Sequence, residues 1–316
     1  MRVVIGTRGS TLALWQTQYV AERLKAATPD LDIHVKTIQT RGDLVRDRAL
    51  SQVGGKGLFV KEIEKALLSG EIDLAVHSLK DMPTEQPEGL TLGAILERAN
   101  PRDALVVHGG ACDLASLSPG ARVGTSSLRR RAQLLAARPD LQVLDLRGNV
   151  DTRLRKLREG QYDAVVLAVA GLERLGHASA ISQVLPLDLM LPAVGQGALC
   201  IEMRAAPRDA AAASADATQN LISALDHPPT RWATVAERAF LRRLEGGCQV
   251  PIGAFAQVDD GQLRLRGLVA ALDGSHLVRD EIRGPAEQAE FLGTELAVQL
   301  LAAGGDEILE EVRRAS

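Results

Sequence analysis

Three kinds of side chain in this 316-residue chain stand where they could do chemistry. The first is Cys248, at the end of a glycine pair in Leu244-Glu245-Gly246-Gly247-Cys248-Gln249-Val250-Pro251-Ile252-Gly253. Two glycines leave the backbone bare, so a bulky group could reach the sulfur. No partner cysteine lies near it in sequence. A thiol on an open turn has an access that a buried structural cysteine does not need. The second is Lys80-Asp81, which emerges from an apolar run at 73–77. Asp81 could donate a proton or stabilise a developing cation. Lys80 could form a Schiff base or hold a ligand carboxylate. A plain surface ion pair weighs as much on sequence alone, and His77 reads as a packed strand residue rather than a base.

Arginine is the third. Residues 122–158 carry nine Arg and one Lys against three Asp. In Gly124-Thr125-Ser126-Ser127-Leu128-Arg129-Arg130-Arg131 a strand feeds a helix whose first turn offers free N–H groups with hydroxyls beside them, an anion cradle. The blander alternative, that Ser126 only caps the helix, needs one hydroxyl rather than three and leaves the arginines unexplained. Thr7-Arg8-Gly9-Ser10 repeats the logic, with Arg8 and Ser10 placed for a carboxylate or phosphate; alone, it would read as an ordinary turn. Leu146-Arg147-Gly148-Asn149-Val150-Asp151-Thr152-Arg153-Leu154-Arg155 is a third junction. Arg147 precedes its helix and Arg153 lies one turn in, whereas Arg155, Lys156 and Arg158 read as a solvated face. Arginine favours bidentate carboxylate pairing. The chain has 30 Arg and only seven Lys, so a general arginine bias is discounted as well.

Strand and helix alternate along the chain, which argues for parallel α/β architecture. Strands are expected at 3–5, 33–38, 73–77, 104–107, 122–124, 141–144, 164–167 and 198–202. Helices are expected at 11–27, 58–69, 126–137 and 150–158, the first keeping Leu12, Trp15, Tyr19 and Leu24 near one face. Residues 40–57 are polar and glycine-punctuated, as binding loops and lids are. Gly54-Gly55-Lys56-Gly57 within them fits no phosphate-binding Gly-x-x-x-x-Gly-Lys-Ser/Thr frame. Crossovers are expected at 97–103 and 191–197, and 205–217 is an Ala-rich helix or linker. Beyond 220 come a helix at 230–244, strands at 254–258, 263–269 and 277–282, and a helix at 286–302. The expected domains are 1–98 plus 196–218, 99–195, and a small α+β domain at 219–316.

Composition excludes several classes. Hydrophobic content of 46% and a mean hydropathy near zero fit a globular enzyme with substantial cores. Aromatics make up 3%, too few for base-stacking platforms on single-stranded nucleic acid. A net charge of −3 gives no global attraction to DNA or membrane. Cys112, Cys200 and Cys248 make no disulfide framework, and a reducing cytoplasm is the simpler setting. No CxxC or HxxxH spacing supports a metal site. The start Met1-Arg2-Val3-Val4-Ile5-Gly6 turns polar too soon for a signal peptide, and no apolar run is long enough to span a bilayer.

Taken in order, the segments resemble the porphobilinogen deaminase (hydroxymethylbilane synthase) family along nearly the whole chain. The resemblance rests on Thr7-Arg8-Gly9-Ser10 with Leu12-Ala13-Leu14-Trp15-Gln16, the stretch 54–59, and Ala75-Val76-His77-Ser78-Leu79-Lys80-Asp81. It continues through Pro101-Arg102-Asp103-Ala104, 124–130, 146–149, 191–197, Glu237-Arg238-Ala239-Phe240 and 244–253. It implies two periplasmic-binding-protein-like (type II) α/β lobes with a double crossover, plus a small C-terminal α+β domain. It implies a transferase that joins four porphobilinogen molecules head to tail, each losing ammonia, and hydrolyses the product to hydroxymethylbilane. The implied cofactor is dipyrromethane, joined by a thioether to Cys248 as a permanent primer. Asp81 matches the catalytic carboxylate. Ser10, Lys80, Asp81, Thr125, Ser127, Arg129, Arg130 and Arg153 match cofactor binders. Arg8, Arg147, Arg153, Arg174 and Gln196 match the substrate side, with Gly197 beside them. One departure is Gln52, where some family members have Lys. The resemblance also implies a cytoplasmic monomer with no nucleic-acid or membrane partner, its product passing to uroporphyrinogen-III synthase. Two rivals are a solute-binding module and an enzyme using Lys80 as a pyridoxal-phosphate Schiff base. A pyrrole adduct on Cys248 would exclude both.

Overall fold

A computed structural model of the chain describes residues 1–40, 42, 60–110, 112–205, 213–244 and 250–314, the helix at 213–217 as backbone alone. Its contacts divide into two compact units, Met1–Arg98 with Ala198–Arg231 and Ala99–Gly197 with Trp232–Ser316.

The first unit opens with β1 (Arg2–Thr7), α1 (Thr11–Ala27), β2 (Asp32–Thr37), α2 (Lys61–Leu68), β3 (Leu74–Ser78) and β4 (Leu90–Ile95). The second begins with β5 (Asp103–Val107), β6 (Arg122–Gly124), α3 (Leu128–Ala137), β7 (Gln142–Leu144), α4 (Val150–Arg158), β8 (Ala164–Ala168), α5 (Val169–Arg174) and β9 (Gln183–Val184). The chain then returns to the first unit as β10 (Leu199–Arg204) and α6 (Ala213–Ser223). Residues 219–231 stay with that unit: Ile222 is buried in its core, and His227 N–H donates to Ile95 O at 2.8 Å.

Both five-stranded sheets follow one plan. The first has the order β2-β1-β3-β10-β4 and the second β7-β6-β8-β5-β9. β1 runs parallel to β2 and β3, and β6 runs parallel to β7 and β8. The fourth place goes to the strand that arrives by a crossover, β10 or β5, antiparallel to both neighbours. This is the double-crossover α/β architecture the sequence implies. The inner strands β3 and β8 are buried over four consecutive residues, as strands covered on both faces must be.

Local chemistry sets the helix starts. The hydroxyls of Ser10 and Ser127 and the amide oxygen of Asn149 accept from Ala13 N, Arg130 N and Thr152 N, capping α1, α3 and α4. α3 thus begins at Leu128, two residues later than its pattern indicated. The buried face of α1 is also rotated from the expected one: it is Gln16, Thr17, Val20, Ala21 and Leu24. Trp15 remains 37% exposed and stacks on Tyr19, with ring centroids 5.2 Å apart. A polar residue takes the core-facing place because Gln16 has a partner there, described below.

The remainder of the second unit is α7 (Pro228–Arg243), the antiparallel meander β11 (Ile252–Asp259), β12 (Gln262–Ala270) and β13 (Leu277–Pro285), then α8 (Ala289–Leu300) and α9 (Asp306–Arg314). α7 starts in the first unit and crosses into the second at Trp232. Fully buried Phe240 packs with Leu265 and Leu296 to form this core. The helix expected at 286–302 ends early, because the chain kinks at Leu301–Gly305, where Gly304 takes φ +101°. No helix among the described residues is long and apolar enough to cross a membrane.

Candidate active site

In the first unit, β1 and β3 are parallel neighbours, with Ile5 opposite Leu74, so both end at one sheet edge. In open α/β sheets this carboxyl-terminal edge is where ligands sit. Half-buried Arg8 follows β1 and leads to the capping Ser10. β3 runs into a single 3-10 turn at Leu79–Asp81. Leu79 is buried and its N–H donates to Ala198 O at 3.0 Å, while Met82 N–H donates back to Leu79 O at 3.1 Å. The turn is therefore anchored from below, with Lys80 half-buried and Asp81 exposed on it. Gln16 Nε2 donates to Ser78 Oγ at 2.8 Å, tying α1 to the same corner.

Beneath that corner lies a buried polar cluster. His77 Nε2 is 3.1 Å from Glu202 Oε2, with side-chain exposures of 5% and 0%. His77 is thus a packed strand residue, as the sequence indicates, but one paired with a buried acid on β10. Glu202 Oε1 has no hydrogen-bond partner among the described residues. Glu64 on α2 lies close by. Burial raises its carboxyl above the ordinary range and the Glu202 charge adds to this, against the opposing pull of His77 and Lys61.

The second unit answers the question left open by the three hydroxyls of the 124–127 turn. Each has a local task. Thr125 Oγ1 accepts from Ser127 N at 3.2 Å, Ser126 Oγ bonds both Leu146 O and Leu146 N, and Ser127 caps α3. Ser127, not Ser126, is the cap. The arginines that follow divide sharply. Arg131 is exposed, whereas Arg129 and Arg130 are only 4% and 6% exposed.

Both buried guanidinium groups converge on Asp103, at the start of β5, which has no exposed surface. Arg129 Nη1 donates to Asp103 Oδ2 at 2.8 Å and to Leu191 O at 2.6 Å. Arg130 Nε and Nη2 donate to Asp103 Oδ1 at 3.1 and 2.6 Å, and its Nη1 donates to Val166 O at 2.9 Å. Burial alone would raise the Asp103 carboxyl, but the two adjacent guanidinium charges outweigh it and hold the group well below the usual carboxylate range. Gln196, 1% exposed, donates from Nε2 to Asp103 Oδ1 at 2.9 Å and to Pro101 O at 2.7 Å. Its amide nitrogen thus points into the arginine cluster. The sequence alone assigns Asp103 no role, although Pro101-Arg102-Asp103-Ala104 is among the segments that carry the family resemblance.

The remaining arginines line the same end of the second sheet. Arg147 is half-buried after β7, and Arg153 Nε donates to Gly148 O at 2.8 Å at the start of α4. Arg174, at the end of α5, donates from Nη2 to Gly197 O at 2.7 Å. Gly197 has φ +91°, and a Cβ there would lie 2.5 Å from Ala99 O, so the two crossover segments run backbone to backbone at a place only glycine fits. A cavity of about 540 Å³ opens at the opposite edge of this sheet, beside Val107, Leu157 and Ile181. Its basic rim residues His108 and Arg158 bond the Leu157 and Leu154 carbonyls, capping α4. Cys248, Gln52 and the Gly54-Gly55-Lys56-Gly57 loop lie outside the described residues. Cys200 is buried in β10, and Cys112 is half-buried. No metal-binding group of acids, histidines and cysteines occurs among the described residues.

The family model described as "Porphobilinogen deaminase, dipyromethane cofactor binding domain" matches residues 3–212, and "Porphobilinogen deaminase, C-terminal domain" matches residues 232–302. A porphobilinogen deaminase of Pelobacter propionicus is 55% identical over 308 residues, covering 98% of this chain and 96% of its own. One of Moorella thermoacetica is 52% identical over 316 residues, covering 100% and 98%. Among solved structures, a TRAP periplasmic solute binding protein from Desulfovibrio salexigens covers 73% of this chain and 74% of its own at 10% identity, with a TM-score of 0.41. On its sequence, the chain belongs to the porphobilinogen deaminase family and contains that family's dipyrromethane cofactor binding domain.

Proposed function

We propose that the chain joins four porphobilinogen molecules head to tail with loss of four ammonia, then releases hydroxymethylbilane by hydrolysis. The observation that carries this is Asp81: an exposed carboxylate on a turn anchored to Ala198, just before β10, at the sheet edge where ligands bind. Losing ammonia makes the pyrrole methylene cationic, and a fixed carboxylate stabilises that charge as it develops. The same group holds the proton moving at the pyrrole nitrogen and the departing amine. Lys80, beside it, holds a carboxylate as a point charge.

Each pyrrole carries an acetate and a propionate, so every addition brings two negative charges. Arg8, Arg147, Arg153 and Arg174 bind those of the incoming substrate, with Gln196 acting through Asp103. Bound dipyrromethane supplies the primer that is lengthened. Arg129 and Arg130 fit such a group, since their two charges face a single buried carboxylate and leave one positive charge in excess. Ser10, Thr125 and Ser127 hold the cradle backbones in which those acids lie, and Cys248 provides the thioether. On the same reading the enzyme is a cytoplasmic monomer whose product goes to uroporphyrinogen-III synthase.

The test is the intact mass of the native protein. It should exceed the bare polypeptide by two linked pyrrole units, and Cys248→Ala should lack that excess. A wild-type protein of bare mass that porphobilinogen does not load would overturn the proposal.

A further inference from the structure

We infer that Asp103 is a positioning residue for cofactor and substrate carboxylates, fixing the direction of both buried guanidinium groups and the charge they present. The inference rests on the function proposed above. Four donors converge on this carboxylate: Arg129 Nη1 on Oδ2, and Arg130 Nε, Arg130 Nη2 and Gln196 Nε2 on Oδ1. Arg130 is also tied to Val166 O, so Asp103 and the strand β8 together engage all three of its nitrogens. Arg129 is engaged through Nη1 alone, to Asp103 and Leu191 O; among the described residues its Nε and Nη2 make no hydrogen bond. That leaves one edge of a planar fork whose orientation Asp103 sets, the shape that takes a carboxylate in two parallel bonds.

Charge leads to the same place. Two guanidinium groups and one carboxylate sum to one unit of positive charge with almost no access to water. An uncompensated buried charge is unfavourable. An external carboxylate would neutralise it, so the cluster selects an anion without Asp103 touching that anion. Gln133 reinforces the arrangement: its Nε2 donates to Arg129 O and Leu191 O, and its Oε1 accepts from Leu191 N.

Asp103→Asn separates position from charge. An amide keeps one acceptor for the Oδ1 donors but sets an N–H against Arg129 Nη1, donor against donor. Arg129 must turn away, so orientation is lost although the net positive charge rises. Loss of orientation should win, because bidentate binding needs the fork in place. Purified, monodisperse Asp103→Asn should load dipyrromethane about 10- to 100-fold more slowly by intact mass, the range found when a group that orients a metal ligand is removed. The molecules that do load should show a raised KM for porphobilinogen with kcat less affected. A merely structural role would reduce yield and Tm while every folded molecule loaded normally. Asp103→Glu keeps the carboxylate at a shifted position; it should fold, load at an intermediate rate and show a smaller KM change, and it stands in if the Asn variant does not fold. Normal loading and KM in either folded variant would overturn the inference while the proposed function stood. A wild-type protein that never loads would sink that function instead.

Discussion

Removing His77 should leave the Glu202 carboxyl sealed in the first unit without its partner. Glu202 is completely buried, its Oε2 is paired with His77 at 3.1 Å, and its Oε1 already has no partner among the described residues. Removing one partner of a buried acid–base pair costs about 3–5 kcal/mol where the group left behind is neither solvated nor compensated. His77→Leu should therefore lower the Tm of the first unit's transition by roughly 6–20 °C, at about 2–4 °C per kcal/mol. His77→Leu with Glu202→Met replaces the pair by apolar groups of similar size and should recover most of this loss, since such replacements are often neutral or stabilising. The cycle of two single variants and the double isolates the coupling. Calorimetry of the holoprotein measures the shift, and amide exchange along β3 and β10 localises it. A single variant within about 1 kcal/mol of wild type, or a double variant as poor as the sum of the singles, refutes the reasoning.

Three further outcomes follow from the same physics. Asp81→Asn should keep its pyrrole mass excess but lose turnover by about 10²- to 10⁴-fold, the usual weight of a positioned acid–base group; near-normal turnover would remove its assigned role. Glu64 has a raised carboxyl pKa in the folded state, so its protonated form stabilises the fold below the ordinary glutamate value of about 4.3, and that contribution fades as pH rises through the raised value. Glu64→Gln should remove the fade, giving a Tm advantage that is small in acid and levels off toward neutral pH; a neutral-pH Tm below wild type contradicts this. Gly197→Ala combines φ +91° with a Cβ 2.5 Å from Ala99 O, so urea unfolding should show a loss of at least about 1–3 kcal/mol, and an unchanged midpoint would mean that the crossover segments can part.

Sequence made the elements legible where pattern and cap agreed. α1, β6 and α4 fall on their expected residues because an apolar run meets a Ser or Asn cap or a glycine stop. β4 was missed, since Leu90–Ile95 holds a glycine and shows no clean alternation, and β9, with two residues, is held to β5 by tertiary pairing alone. The buried face of α1 was misjudged because Gln16 reads as a surface residue until its bond to Ser78 is seen. The site was legible as a set of residue types at three junctions. It was not legible as a division of labour. A run of three arginines gives no sign that two are buried on an aspartate 26 and 27 positions earlier and the third is exposed. Such pairings are long-range, and no local periodicity encodes them.

The two sheets share a further device that connects fold to site. In each, the strand that arrives by a crossover carries a buried acid, and that acid meets a base from a neighbouring element. β10 brings Glu202 to His77 on β3, and β5 brings Asp103 to Arg129 and Arg130 on α3. A crossover strand closes a long loop, so its pairing is entropically the hardest in its sheet to form and to keep in register. In strands buried on both faces, as β5 and β10 are, a slipped register would still bury most of their apolar side chains. A slip by one residue would turn the acid to the other face and bury its carboxyl without a partner, at a cost of several kcal/mol. The acid thereby selects one register, and with it the height at which the neighbouring turn ends. On β3 that turn carries Asp81; beside β5 the selected partners are the arginines of the cradle. The charges that fix where the crossover strands sit thus also fix where the reactive carboxylate and the anion-binding guanidinium groups lie.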